Sequence, residues 1–235
     1  FCDGTSCAHM PIVQDHKRAF EGDTGPNTGG MGTYSFANHS LPFLSKQDVL
    51  DAQQTNERVA LELYKQTGQR FRGILYGGFM LTKKGVKVIE YNARFGDPEA
   101  MNVLSILETD FIEICNAVVS GSLASLKISF KNEATVCKYA VPVGYPDSPS
   151  KNFEVFCNPE DHNLYLAAVQ KTAGGLIATG SRTAAFVGIN QKIGVAEKLA
   201  EKGVSGVRGN LFHRKDIGTG ALINLRIKHM KEILR

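Results

Sequence analysis

The chain has 235 residues, of which 43% are hydrophobic and 21% charged, with a net charge of +4. This is ordinary globular composition, long enough for one large domain or two modest ones. The basic residues form no block, and no apolar run approaches the ~20 residues of a membrane span, so neither a nucleic-acid patch nor a membrane anchor or signal peptide is expected. The five cysteines are scattered without a CxxC pair, which argues for reduced thiols in a cytoplasmic setting and against a disulfide framework or zinc site.

The opening stretch "FCDGTSCAHM" predicts a hairpin with Asp3-Gly4 at its turn. Its first strand is too short to pair well, so we expect the chain to begin inside a longer protein. Gln14 to Ser35 is polar and glycine-rich without apolar periodicity, and is expected to be a long loop, functional or disordered. A helix follows, with Ser45 and Asp48 as a capping box, Ala52, Thr55, Val59 and Leu63 at helical spacing, and Gly68 past its end. Arg72 to Thr82 and Val86 to Asn92 predict an antiparallel hairpin turning at Lys83-Lys84-Gly85. The next helix is expected to open with Asp97 as cap and Pro98 at its first position. Another starts at Thr109 and closes at Gly121.

Residues 121–132 read as a boundary. Beyond it, a strand is expected from Ala134, then two short strands around Gly180-Ser181. A helix capped by Asn190 and stopped by Gly203 follows, then a final amphipathic helix. Without regular βαβ alternation the fold class is α+β, divided into residues 1–130 and 131–235.

The hairpin's second strand carries Glu90 and Asn92, and Arg94 stands one further step along. Residues two apart share a strand face, so these three groups point one way if strand geometry persists to Arg94. Glu90 and Asn92 offer hard oxygens suited to Mg²⁺ or Mn²⁺, and Arg94 can fork onto a phosphate. Spacing alone favours a plainer alternative, a structural Glu90–Arg94 ion pair with Asn92 in a turn. The loop "NTGGMG" places Gly29, Gly30 and Gly32 where backbone N–H groups can approach an anion, though a flexible turn explains them equally well. Before it, Lys17 and Arg18 are candidates to meet a phosphate.

Taken together, "QDHKRAFEGDTGPNTGGMG" and "IEYNARFGDPE" resemble the two hallmark stretches of the phosphoribosylamine–glycine ligase family, also called glycinamide ribonucleotide synthetases. The hairpin "GILYGGFMLTKKGVKV" fits the same family, and "HRKDIG" resembles a motif near its C-terminus, with His213 in place of the usual aromatic. The resemblance covers nearly the whole chain and is weakest from Phe153 to Ala173. It implies the ATP-grasp architecture: a catalytic core of antiparallel sheet with helices, then a small α+β C-terminal domain. It implies ATP-dependent ligation of glycine to 5-phosphoribosylamine through a glycyl phosphate, in purine biosynthesis. By this resemblance Glu90 and Asn92 are the Mg²⁺ or Mn²⁺ ligands, and Arg94 steadies the γ-phosphate and acyl phosphate. Lys17, Arg94 and Asp97 are then the catalytic candidates, with Arg94, Gly29, Gly30 and Gly32 binding the nucleotide or substrate.

The resemblance also implies an N-terminal substrate domain and a nucleotide lid preceding Phe1, which this chain is expected to contact. Gly78 stands where some other ATP-grasp enzymes carry a third acidic metal ligand. Two alternatives stay open: another ATP-grasp carboxylate–amine ligase acting on a different acid, and a non-catalytic domain that kept the fold.

Overall fold

The computed structural model describes residues 1–158 and 160–234. The N-terminal hairpin reduces to one bridge, Cys2 to Cys7, with a second bridge from Cys2 to Gly73. Asp3 shapes its turn: the carboxylate accepts from the amides of Thr5 at 2.8 Å, Ser6 at 2.7 Å and Leu123 at 3.0 Å. Burial alone would push this carboxyl up, but the Ser6, Thr5 and Leu123 donors outweigh it and bring it from 3.8 to about 2. A depressed folded value means stability that is full above the unfolded value and lost as pH falls through the folded one. Asp3 is therefore expected to contribute about 2 kcal/mol that disappears between roughly pH 4 and pH 2. Urea midpoints of wild type and Asp3→Asn should converge over that window, and parallel curves would rule the contribution out.

Residues 14–35 differ from the expected loop. They form β1 (Gln14–Asp15), β2 (Arg18–Phe20), β3 (Thr24–Asn27) and β4 (Gly32–Ser35). β2 and β3 make a small hairpin, while β1 pairs β4. All four residues of β4 are buried. A strand covered on both faces need not alternate polar and apolar residues, so the sequence shows no period of two there.

Helix α1 (Lys46–Thr67) starts with the expected Ser45–Asp48 capping box and ends at Gly68 with φ 71°. Its expected apolar stripe is only half-buried, and Leu63 is exposed. Strands β5 (Tyr76–Thr82) and β6 (Gly85–Asn92) form the expected hairpin, with an irregularity between Gly78 and Phe79. Helix α2 spans Glu99–Leu104. Asp97 does not cap it, because its carboxylate is engaged by Arg182 and Tyr139. Helix α3 (Phe111–Ser120) is capped by Asp110, next to the expected Thr109, and ends at Gly121.

After a short turn at Leu123–Ser125 comes β7 (Ala134–Pro142), buried at every position. Four short strands follow: β8 (Glu154–Val155), β9 (Leu164–Leu166), β10 (Val169–Thr172) and β11 (Gly175–Ala178). The sequence pattern predicts only the last of these, because strands of two to four residues carry too little periodicity. Then come β12 (Ala184–Asn190), α4 (Ile193–Ser205), β13 (Leu211–Phe212) and α5 (Gly220–Ile233). Asn190 ends β12 and its side chain accepts from the Lys192 amide at 3.0 Å, so it precedes α4 without capping it. Gly203 does not stop α4 either. It lets the helix lie flat on Phe186, whose ring stands 2.3 Å from where a Cβ would be.

The main sheet runs β1-β4-β7-β12-β9, with β13 also on β7, and all its pairings are antiparallel. It therefore draws strands from both sides of residue 130. β8, β10 and β11 form a separate small sheet. On one face of β7, Val136 and Ala140 pack toward Ala196, Ala200 and Val204 of α4. On the other face Cys137, Tyr139 and Val141 pack with Met31, Val187 and Ile217. Lys138 points to the α4 side. Its fully buried ammonium donates to Glu197 at 2.7 Å, Glu201 at 2.8 Å and the Lys215 carbonyl at 2.8 Å. No helix among the described residues is long and apolar enough to cross a membrane.

Candidate active site

The β5–β6 hairpin, α1, the β1–β2 turn and the start of α2 enclose a cleft of about 680 Å³. Lys17 and Glu90 stand at it together, their charged atoms 3.9 Å apart, and both side chains are about half exposed, at 51% each. Two segments more than seventy residues apart in the chain thus meet here. Asn92 closes β6 opposite Tyr76. The strand ends there, so Arg94 lies in a bend and not on the extended face expected from spacing. Its guanidinium donates to the Phe95 carbonyl at 2.6 Å. Among the described residues the ionic partner of Glu90 is Lys17 and not Arg94, which removes the structural ion pair as an account of this stretch.

Glu90 and Asn92 fit a hard divalent cation by donor chemistry. Glu90 lines the cleft, and Asn92 stands two residues along the same strand, so they supply one charged and one neutral oxygen and leave most positions to water and phosphate. Among the described residues no group of three His, Cys, Asp or Glu could hold a metal ion unaided.

Behind Lys17 lie two carboxylates absent from the sequence-based candidates. Asp15 has both oxygens shielded from solvent without a hydrogen bond, although Lys17 reaches within 3.5 Å of one. Burial first, and the Glu99 carboxylate second, push Asp15 up to about 7, with Lys17 offsetting only part. Glu99 is buried and accepts from the Tyr76 hydroxyl at 2.6 Å. Both residues lie inside the two quoted motifs, so position in those motifs was the available signal.

The glycine loop is held by the protein itself. Gly30 N–H donates to Thr28 Oγ1 at 3.0 Å, whereas Gly29 N–H has only a 3.4 Å contact with the Tyr145 hydroxyl. Of these two amides, that of Gly29 is the less committed. Gly32 begins β4, packed against the Cys137 carbonyl. The Gly29 and Gly30 carbonyls accept from Arg182 Nη1 at 3.0 and 3.3 Å. The same guanidinium meets Asp97, whose other carboxylate oxygen accepts from Tyr139 at 2.9 Å. β7 register explains this: Tyr139, one residue from Lys138, faces the site.

The other side of the loop is braced by the "HRKDIG" segment. Asp23 Oδ1 accepts from Nδ1 of buried His16 at 3.1 Å, and Asp23 also accepts from Arg214 at 2.8 Å and Arg226 at 2.7 Å. Those hydrogen bonds from His16 and Arg214 hold Asp23 below the usual carboxylate range against the pull of burial. Asp216 accepts from Arg214 at 2.7 Å and from the Gly22 amide at 2.9 Å. The segment thus anchors the turn that carries Asp15 and Lys17.

Two family models match the chain: phosphoribosylglycinamide synthetase, ATP-grasp (A) domain, over residues 1–100, and phosphoribosylglycinamide synthetase, C domain, over residues 135–220. The phosphoribosylamine–glycine ligase of Methanosarcina barkeri is 52% identical over 234 residues, covering 99% of this chain and 54% of that protein. That of Methanocaldococcus jannaschii is 47% identical over 240 residues, again covering 54% of its length. The chain spans about half the length of the curated relatives it matches. Among solved structures, the Thermotoga maritima phosphoribosylamine–glycine ligase superposes with TM-score 0.77 at 28% identity, over 91% of this chain and 52% of that one. The urea carboxylase of Kluyveromyces lactis, at 12% identity and TM-score 0.62 over 88% of this chain and 17% of that one, shares the fold alone. With two family models in the expected order, half its residues identical to these ligases and an ATP-grasp fold, the chain belongs to the phosphoribosylglycinamide synthetase family.

Proposed function

We propose that the chain is the catalytic-core and C-domain portion of a phosphoribosylamine–glycine ligase. The observation that carries this reading is the meeting of Lys17 with Glu90 at the cleft, in a chain 52% identical to such a ligase over nearly all its length. In the proposed reaction a glycine carboxylate oxygen takes the γ-phosphoryl group of ATP and ADP leaves. The amine of 5-phosphoribosylamine then attacks the acyl carbon, losing a proton as phosphate departs.

Glu90 and Asn92 would hold Mg²⁺ or Mn²⁺. The bound cation would supply charge neutralisation on the phosphates, the main demand of phosphoryl transfer. Lys17 beside Glu90, and Arg94 just past the strand end, would add fixed positive charge. Neither has to give up a proton, and no side-chain nucleophile is required. The Gly29 amide and Asp97 border the side assigned to glycine and the sugar phosphate. At the cleft, Met80 and Ile89 are 53% and 60% exposed. We assign this apolar rim to packing against the remainder of a full-length ligase, because large exposed apolar patches mark interaction sites.

The test is ADP release by a full-length ligase carrying this sequence. ADP formation that needs both glycine and 5-phosphoribosylamine supports the reading, and formation with another acid or another amine overturns it. The 235-residue chain alone is expected to bind ATP more weakly than 1 mM, since a ligand clamped by half its walls forfeits most of its burial. Titration calorimetry showing submillimolar affinity would refute that expectation.

A further inference from the structure

We propose that Arg182 is a positioning residue for the glycine and sugar-phosphate side of the site, acting through the glycine loop and Asp97. The inference rests on the reading of function above. Arg182 lies just before β12, outside both sequence motifs, yet its guanidinium joins them. Nη1 donates to the carbonyls of Gly29 at 3.0 Å, Gly30 at 3.3 Å and Asp97 at 3.1 Å, and Nη2 to the Asp97 carboxylate at 2.8 Å. The guanidinium carbon stands 4.6 Å from the centre of the Tyr139 ring, a cation–π distance. Tyr139 in turn holds the second Asp97 oxygen at 2.9 Å.

The fit leaves no slack. A Cβ at Gly29 would stand 3.2 Å from the guanidinium carbon, so the absence of a side chain there lets arginine lie against the backbone. The side chain of Arg182 is only 17% exposed, while that of Asp97 is 52% exposed and faces outward. Gly30 touches Asp15 and Pro98: a Cβ there would stand 3.1 Å from the Asp15 carboxylate and 2.7 Å from the Pro98 ring. Arg182 thereby sets the spacing between the strand carrying Asp15 and the turn leading to Glu99. Among the described residues it makes no hydrogen bond or ion pair with Glu90, Asn92 or Arg94, which the reading above assigns to the nucleotide side.

A planar fork is needed for this job. Lysine has the charge but is a point donor, and cannot span three carbonyls and a carboxylate in one geometry. The substrates on the Asp97 side should therefore suffer when Arg182 is changed, and ATP should not.

The experiment measures KM for glycine, 5-phosphoribosylamine and ATP in a full-length ligase carrying this sequence, for wild type, Arg182→Ala and Arg182→Lys. We expect KM for glycine or 5-phosphoribosylamine to rise at least tenfold in both variants while KM for ATP stays within twofold. Arg182→Lys, which keeps the charge and most of the packing, and Gly29→Ala, which pushes a methyl group at the guanidinium, give the same reading should Arg182→Ala fail to fold. All three KM values within twofold of wild type, with loss confined to kcat or thermal stability, would overturn the proposal. A rise in KM for ATP as large as the others would overturn it too. If wild type ligates normally and the split is missing, only the role of Arg182 fails; if wild type shows no ligation, the reading of function fails with it.

Discussion

Glu90→Gln in a full-length ligase is expected to lower turnover on the order of 10³-fold, several kcal/mol of transition-state stabilisation. Glutamine keeps the shape and one oxygen but removes the charge that a hard cation needs at this strand end. The side chain is 51% exposed and its ionic partner is Lys17 at 3.9 Å. Folding stability should therefore shift by no more than about 0.5 kcal/mol, the usual range for an exposed site. The two readouts separate cleanly: steady-state turnover at saturating Mg²⁺ or Mn²⁺ falls while the melting temperature holds. Normal turnover in the variant would remove Glu90 from the metal role.

Lys138→Met is expected to have the opposite signature, a loss of about 3–5 kcal/mol in stability, because one partner of a buried ionic cluster disappears. Methionine fills most of the volume. Glu197 and Glu201, however, lose the ammonium that each meets within 2.8 Å, and Lys215 loses the donor to its carbonyl. Lys138 is fully shielded and Glu197 only 13% exposed, so water replaces little of what is lost. At 2–4 °C per kcal/mol for a chain of this size, the melting temperature should drop by roughly 6–20 °C. Adding Glu197→Gln and Glu201→Gln to Lys138→Met should recover much of it, since neutral side chains leave no unpaired charge. A melting temperature within about 2 °C of wild type for the single variant would show that the cluster contributes little.

Helix α1 and the β5–β6 hairpin were legible in the sequence because their signals are local. Ser45 and Asp48 are three residues apart, and the Lys83-Lys84 turn joins strands that pair with each other. That Glu90 and Asn92 share one strand was legible for the same reason. Arg94 was misplaced because strand periodicity carries no mark of where the strand stops. β4 escaped notice because a strand buried on both faces has no alternation to detect. Arg182 and Tyr139 could not be found at all. Their meaning comes from Asp97, 85 and 42 residues away in the chain, and only the register of β7 and β12 brings them there. Gly203 was read as a stop because glycine is unfavourable inside a helix; the close approach of Phe186 that requires it is tertiary.

The pairing of β4 with β7 sets a timetable for making this protein. Ser35 lies opposite Thr135, so β4 leaves the ribosome about 100 residues before its partner exists. At 5–20 residues per second that is a wait of roughly 5–20 s. Arg214 and Arg226, which hold Asp23, arrive later still. The turn bearing Asp15, Lys17 and the glycine loop must therefore settle late, although it is synthesised well before the segments that hold it.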